Sequence, residues 1–135
     1  MKRWYSLGLI IGICLLTGCQ NNIKDGMVYM EEKQYEKAIL SFEKDIADET
    51  HLKEAYRGVG MASYELGEYE EAIEAFASAL EHGAKKTANL YHLMGVSYYE
   101  MKQYEKALEC YEKVLAMADC TDELRQGVRF NEIAI

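Results

Sequence analysis

The chain has 135 residues, half of them apolar, no proline and a formal net charge of −8 at neutral pH. That length suits one domain, and so large an apolar fraction sets aside a disordered chain. The acidic excess sets aside nucleic acid and anionic lipid headgroups as partners, since both would repel it.

Residues 1–19 differ in kind from the rest. Lys2 and Arg3 form a short positive end, Leu7 to Leu16 is an apolar run of ten, and Leu16-Thr17-Gly18-Cys19 closes it with small residues before a thiol. Ten residues of helix span about 15 Å against roughly 30 Å of bilayer hydrocarbon, so the run is short for a permanent span and reads as a secretory signal. The Leu-Thr-Gly-Cys ending resembles a bacterial lipobox. The resemblance implies diacylglyceryl transfer to the Cys19 sulfur and cleavage between Gly18 and Cys19. The expected division is then a signal peptide over 1–18, a lipidated tether over 19–24 and a repeat domain over 25–135, exported and held on the extracytoplasmic face of a bacterial membrane. The alternative is an uncleaved anchor in which Cys14 and Cys19 are ordinary apolar residues. Loss of residues 1–18 removes two basic groups and takes the formal charge from −8 to −10, so lipid rather than charge would hold the protein at a membrane.

From about Asn22 to Lys33 the pattern gives a short helix with Met27, Tyr29 and Met30 on its apolar side, and Tyr35 to Ala47 gives a second. Asp48-Glu49-Thr50 is a polar break with candidate N-caps for the helix that follows. Tyr56 to Leu80 is then the best-defined stretch. Tyr56, Gly60, Tyr64, Tyr69, Ala72, Phe76 and Leu80 recur 35 residues later as Tyr91, Gly95, Tyr99, Tyr104, Ala107, Tyr111 and Leu115. Gly26, Tyr35, Ala38, Phe42 and Ile46 precede Gly60, Tyr69, Ala72, Phe76 and Leu80 by 34 residues. Each copy carries two runs at helical spacing joined by a break of about three residues, which forces an antiparallel pair. The expected packing sets Gly60 and Gly95 against Ala72 and Ala107, so that two backbones approach closely, with Phe76 and Tyr111 filling the flanks. Thr87 and Thr121 precede later helices. The last of these, over 121–135, reads as a first helix without its second. Either Phe130 and Ile133 dock back on the third unit, or the helix is the start of a longer array.

Self-similarity at this period means stacked helix pairs. The Tyr/Gly/Tyr and Tyr/Ala/Phe/Leu pattern resembles the tetratricopeptide repeat family, and the copies fall at about 22–47, 53–86 and 88–118. A plain helical bundle would not keep three registers in phase. The chain departs from the family pattern in having Ala84 where a proline is usual. The resemblance implies an all-α solenoid whose first helices line a concave groove. Its lining would be Met27, Met30 and Glu31, then Arg57, Met61, Tyr64 and Glu65, then His92, Val96, Tyr99 and Glu100. Met and Tyr offer adaptable apolar contact, Arg57 a carboxylate site, and the row of glutamates a preference for basic residues. Met61 and Val96 stand where a carboxylate clamp would need Asn, so a C-terminal carboxylate is not the expected ligand.

Chemistry of other kinds has little support. His51, His82 and His92 are scattered, no His or Cys pair has metal-ligand spacing, and adjacent acids such as Glu70 and Glu71 point about 100° apart on a helix. The expectation is a non-enzymatic protein without cofactor or metal, binding a protein or peptide segment while tethered to a membrane by lipid, with self-association through the final helix as the alternative. Cys110 and Cys120 are expected to remain free thiols, since ten residues of mostly helical chain hold them too far apart to bridge.

Overall fold

A computed structural model describes residues 21–135. The signal segment 1–18 and the lipidation candidate Cys19 lie outside the described residues. Among the described residues there are seven helices and no strand: α1 (Asn22–Glu31), α2 (Tyr35–Ala47), α3 (Leu52–Leu66), α4 (Tyr69–Glu81), α5 (Ala88–Glu100), α6 (Tyr104–Ala116) and α7 (Asp122–Ala134). α1 opens inside the stretch expected as a tether over 19–24 and ends two residues before the expected Lys33.

The helices pair as α1 with α2, α3 with α4, and α5 with α6, and each pair leans on the next. The three hairpin turns share one solution. Lys33, Gly67 and Lys102 occupy the same repeat position with φ of 56°, 77° and 60°, and the next residue's N–H returns to the carbonyl five residues back in every case. That bond satisfies a helix-end carbonyl which would otherwise lack a partner. Only Gly67 adopts the left-handed conformation without a Cβ penalty, which explains why the other two turns lacked an obvious breaker in the sequence.

Each hairpin closes by laying an aromatic ring against a glycine. A Cβ added to Gly60 would sit 2.6 Å from Phe76 Cδ1, and one added to Gly95 would sit 2.6 Å from Tyr111 Cε1. The sequence suggested Ala72 and Ala107 as the residues facing these glycines, and the atoms nearest each glycine are those of the ring. The two alanines are fully buried beside the rings, but it is the ring one turn further along that occupies the space the glycine leaves. Phe42 is held from both sides, by Gly26 of its own hairpin and by Gly58 of the next. Phe42, Phe76 and Tyr111 are wholly inaccessible and form the spine of the stack.

Helix starts divide into two kinds. Thr87 and Thr121 each accept a hydrogen bond from the N–H three residues on, at 3.2 Å, as the sequence suggested. The Asp48-Glu49-Thr50 break does not supply the cap of α3. His51 stands there instead, in a left-handed conformation at φ 46° and with no side-chain cap. Thr50 turns its hydroxyl to the buried Asp45, whose carboxylate also accepts from Asn22 Nδ2 at 2.8 Å and has His51 Nδ1 3.7 Å from its second oxygen. This polar cluster fills the place of Ala79 and Val114 in the other repeats. It links α1, α2 and the start of α3, so a hairpin weak in apolar signal is held by buried hydrogen bonds.

α7 packs on the third hairpin through Val128 and Leu124, and Asn131 Nδ2 donates to the Tyr111 hydroxyl at 3.4 Å. Phe130 and Ile133 do not dock back, being 73% and 86% exposed. Cys110 is buried, Cys120 is half-buried, and both are free thiols.

Candidate functional site

α1 touches α3 and α5 touches α7 across the hairpin boundaries, whereas open clefts separate α2 from α4 and α4 from α6. Contact of α1 with α3 and of α5 with α7 agrees with first helices standing side by side, the row that lines the inner face in a stack of this kind.

Two repeat positions one turn apart run along that face. Met27, Met61 and Val96 occupy the first, and Met30, Tyr64 and Tyr99 the second. α7 continues both rows. Thr121, Val128 and Asn131 follow Thr87, Met94 and Ser97 by 34 residues, and Val128, Met94 and Ser97 are all buried. In that register Phe130 falls at the place of Val96 and Ile133 at that of Tyr99. The exposure of these two residues is thus in part an extension of the inner face, a reading their lack of aromatic motif partners hid in the sequence.

Of the eleven groove residues named from sequence, Met27, Arg57 and the three glutamates are exposed and Met30, Met61, Tyr64, His92, Val96 and Tyr99 are half-buried. The half-buried ones serve two purposes. Met61 and Tyr64 pack on the cluster around Phe76, and Val96 and Tyr99 on that around Tyr111, while each keeps an accessible side. The structure brings Met27, Arg57 and Met61 together around one depression of about 250 Å³, completed by Ile23, Glu54, Gly58 and the edge of Phe42. Ile23, Glu54 and Gly58 were not anticipated. Gly58 gives way to Leu93 in the next hairpin, and the space its missing side chain leaves is taken by the Phe42 ring, whose edge reaches the hollow. His92, Val96 and Tyr99 lie one hairpin further along.

The tyrosines of the inner face are held edge-on by the tyrosines that open the next helices. Tyr64 meets Tyr69 with ring centroids 6.0 Å apart, and Tyr99 meets Tyr104 at 5.7 Å. Partial burial raises the pKa of the Tyr64 phenol above the ordinary tyrosine value, and Tyr69, Glu65 and Glu100 add to the shift, so it stays a neutral donor. Glu31, Glu65 and Glu100 are exposed. Burial lowers the pKa of His92, which leaves it an uncharged imidazole at neutral pH. Among the described residues Arg57 has no carboxylate within 4.0 Å, and the ion pair between a basic and an acidic side chain there is Lys53 with Glu54. No three metal-ligating side chains converge among the described residues. The face can offer apolar hollows, a line of carboxylates and one guanidinium with no ion-pair partner among the described residues, which is equipment for binding.

A family model described as tetratricopeptide repeat matches residues 54–119, the segment that holds α3 to α6. The fold is of the tetratricopeptide type. A comparison with curated proteins finds no match. Tetratricopeptide repeats serve protein–protein recognition, and in this chain α1 and α2 extend the matched repeats by one more hairpin on one side and α7 by a single helix on the other. Within the tetratricopeptide segment, Gly60, Ala72, Phe76, Gly95, Ala107 and Tyr111 are buried in the stack, and Met61, Tyr64, His92, Val96 and Tyr99 each keep an accessible side.

Proposed function

We propose that the protein is a lipid-anchored interaction scaffold of a bacterial cell envelope, which holds a protein or peptide segment carrying basic and apolar residues along its inner face. The observation that carries this reading is the depression beside Met27, Arg57 and Met61, continued by accessible Tyr64, Val96 and Tyr99 and flanked by exposed Glu65 and Glu100. Apolar side chains of the segment enter the hollows, its basic groups lie along the carboxylates, and Arg57 takes an acidic group or a backbone carbonyl. The chain's formal charge of −8 favours a basic partner at longer range.

The groove is tested by replacing Met61 and Val96 together with Arg and, separately, the exposed Met27. Loss of partner recovery with unchanged melting supports the reading, and full recovery with the fold intact contradicts it. The anchor is tested independently through Cys19→Ala. The parent is expected as a processed, membrane-bound form and the variant as an unprocessed precursor. A variant that still yields the same mature size on membranes would contradict lipidation at Cys19.

A further inference from the structure

Every glycine inside a helix of the described residues is covered by an aromatic ring, with one exception. Gly26 and Gly58 lie against Phe42, Gly60 against Phe76 and Gly95 against Tyr111, but a Cβ added to Gly127 would meet nothing within 4 Å. One turn further along α7, Phe130 has the complementary defect. Phe42 and Phe76 are fully buried, while Phe130 is 73% exposed and lies against no glycine. An open glycine inside a helix weakens it relative to alanine, and an exposed ring forgoes its burial; one contact would bury the ring and offset the glycine's cost.

The geometry points to a homodimer in which two copies of α7 cross antiparallel, each Phe130 ring seated on Gly127 of the other copy. This goes beyond the groove reading and does not depend on it. Residues three apart lie on one side of a helix, so a two-fold axis level with the midpoint between them satisfies both rings at once. A parallel crossing sets Phe130 over Phe130 and leaves both seats empty. Charge agrees with the antiparallel choice. The acidic first turn, Asp122 and Glu123, comes beside the last turn of the other copy, whose one charged side chain, Glu132, falls opposite Arg125; a parallel crossing sets the two acidic first turns against each other.

A hairpin-closing helix of the ordinary kind is a poorer occupant. The repeat position that is Gly26, Gly60 and Gly95 in the three hairpins is Arg129 in α7, so the ring of such a helix finds its usual seat filled. One face each of two 13-residue helices falls below the roughly 1,200–2,000 Å² of stable specific interfaces, hence a weak, concentration-dependent dimer.

The test is sedimentation of the full chain in detergent from about 1 µM to about 1 mM. The mass is expected to rise from one copy to two. Gly127→Ala and Phe130→Ala are each expected to raise the dissociation constant at least tenfold, roughly the size of one lost ring contact. Gly127→Ala is also expected to melt no lower than the parent at the dilute end, which separates lost pairing from lost folding. A chain monomeric throughout, or a Gly127→Ala variant that pairs as tightly as the parent, overturns the proposal. Orientation is read by mixing differently tagged Gly127→Cys and Phe130→Cys copies. Oxidation is expected to give mixed crosslinks, absent from the parent, faster than like-with-like ones; the reverse order overturns the antiparallel crossing.

Discussion

A single absent methyl group decides how closely each helix pair closes. At Gly60 the added carbon of an alanine would sit 2.6 Å from the Phe76 ring, inside van der Waals contact, and the ring is fully buried with no free direction to move. Gly60→Ala is therefore expected to destabilise the protein by about 1–3 kcal/mol in urea unfolding, despite alanine's better helix propensity. The same change at Gly127 meets open space and is expected to add up to about 1 kcal/mol in the dilute monomer. Opposite signs for one substitution at two helical glycines would be difficult to obtain from any arrangement without the ring seats.

Tyr111 gives the residue scale a pH dependence. Burial, partly offset by the hydrogen bond from Asn131, pushes its phenol up to about 12. The folded state then holds this proton more tightly than the unfolded chain, whose tyrosines titrate near 10. Stability from Tyr111 is fully present below about pH 10 and is lost between there and about pH 12, at no more than about 1.4 kcal/mol per unit. Tyr111→Phe is expected to flatten part of the alkaline decline in a series of urea melts, and a decline of unchanged slope would show that the phenol is not buried as described.

At the scale of helices and turns, caps and seats act on different units. Thr87 caps a helix enclosed between two hairpins, whereas Thr121 caps α7, which is held on one side alone. Each Thr→Ala is expected to cost about 1 kcal/mol. Thr87→Ala should lower the cooperative melting of the stack, while Thr121→Ala should chiefly speed amide exchange in α7. Equal exchange rates in α7 of parent and Thr121→Ala would contradict this.

The elements themselves were legible before the structure, because a hairpin that recurs at 34 or 35 residues repeats its apolar spacing, and spacing is what a helix face requires. What the spacing could not assign was partnership across a turn. Gly60 has Ala72 and Phe76 on the facing helix one turn apart, and only three dimensions tell which meets it. The first hairpin was faint because Asn22 stands at the place of Tyr56 and Tyr91, and Asp45 at the place of Ala79 and Val114. The two replacements are one buried hydrogen bond, a paired signal visible only once both ends are known to touch. His51 escaped notice as a helix start because neighbouring Asp48 and Thr50 have better capping side chains, but Thr50 is drawn away to Asp45.

As a whole, the molecule is a short stack whose inner row runs from Met27 to Ile133 and whose outer cleft between α2 and α4 mixes Ile46, Tyr56, Val59 and Ala75 with Glu43, Glu71, Glu74 and Ser78. No helix among the described residues is long and apolar enough to cross a membrane. With the anchor proposed at Cys19, three residues before α1 begins, the inner face would work within a short reach of the bilayer.

The most direct test of that inner face is a photo-crosslinking footprint of the full chain in its own membranes, with a photoreactive phenylalanine placed at Met27 or Arg57 and, for comparison, at Glu74 or Glu109 on the outer helices. The inner positions are expected to capture the same protein partner and the outer positions to capture none of it. Capture from Glu74 or Glu109 that equals or exceeds capture from Met27 and Arg57 would contradict the account.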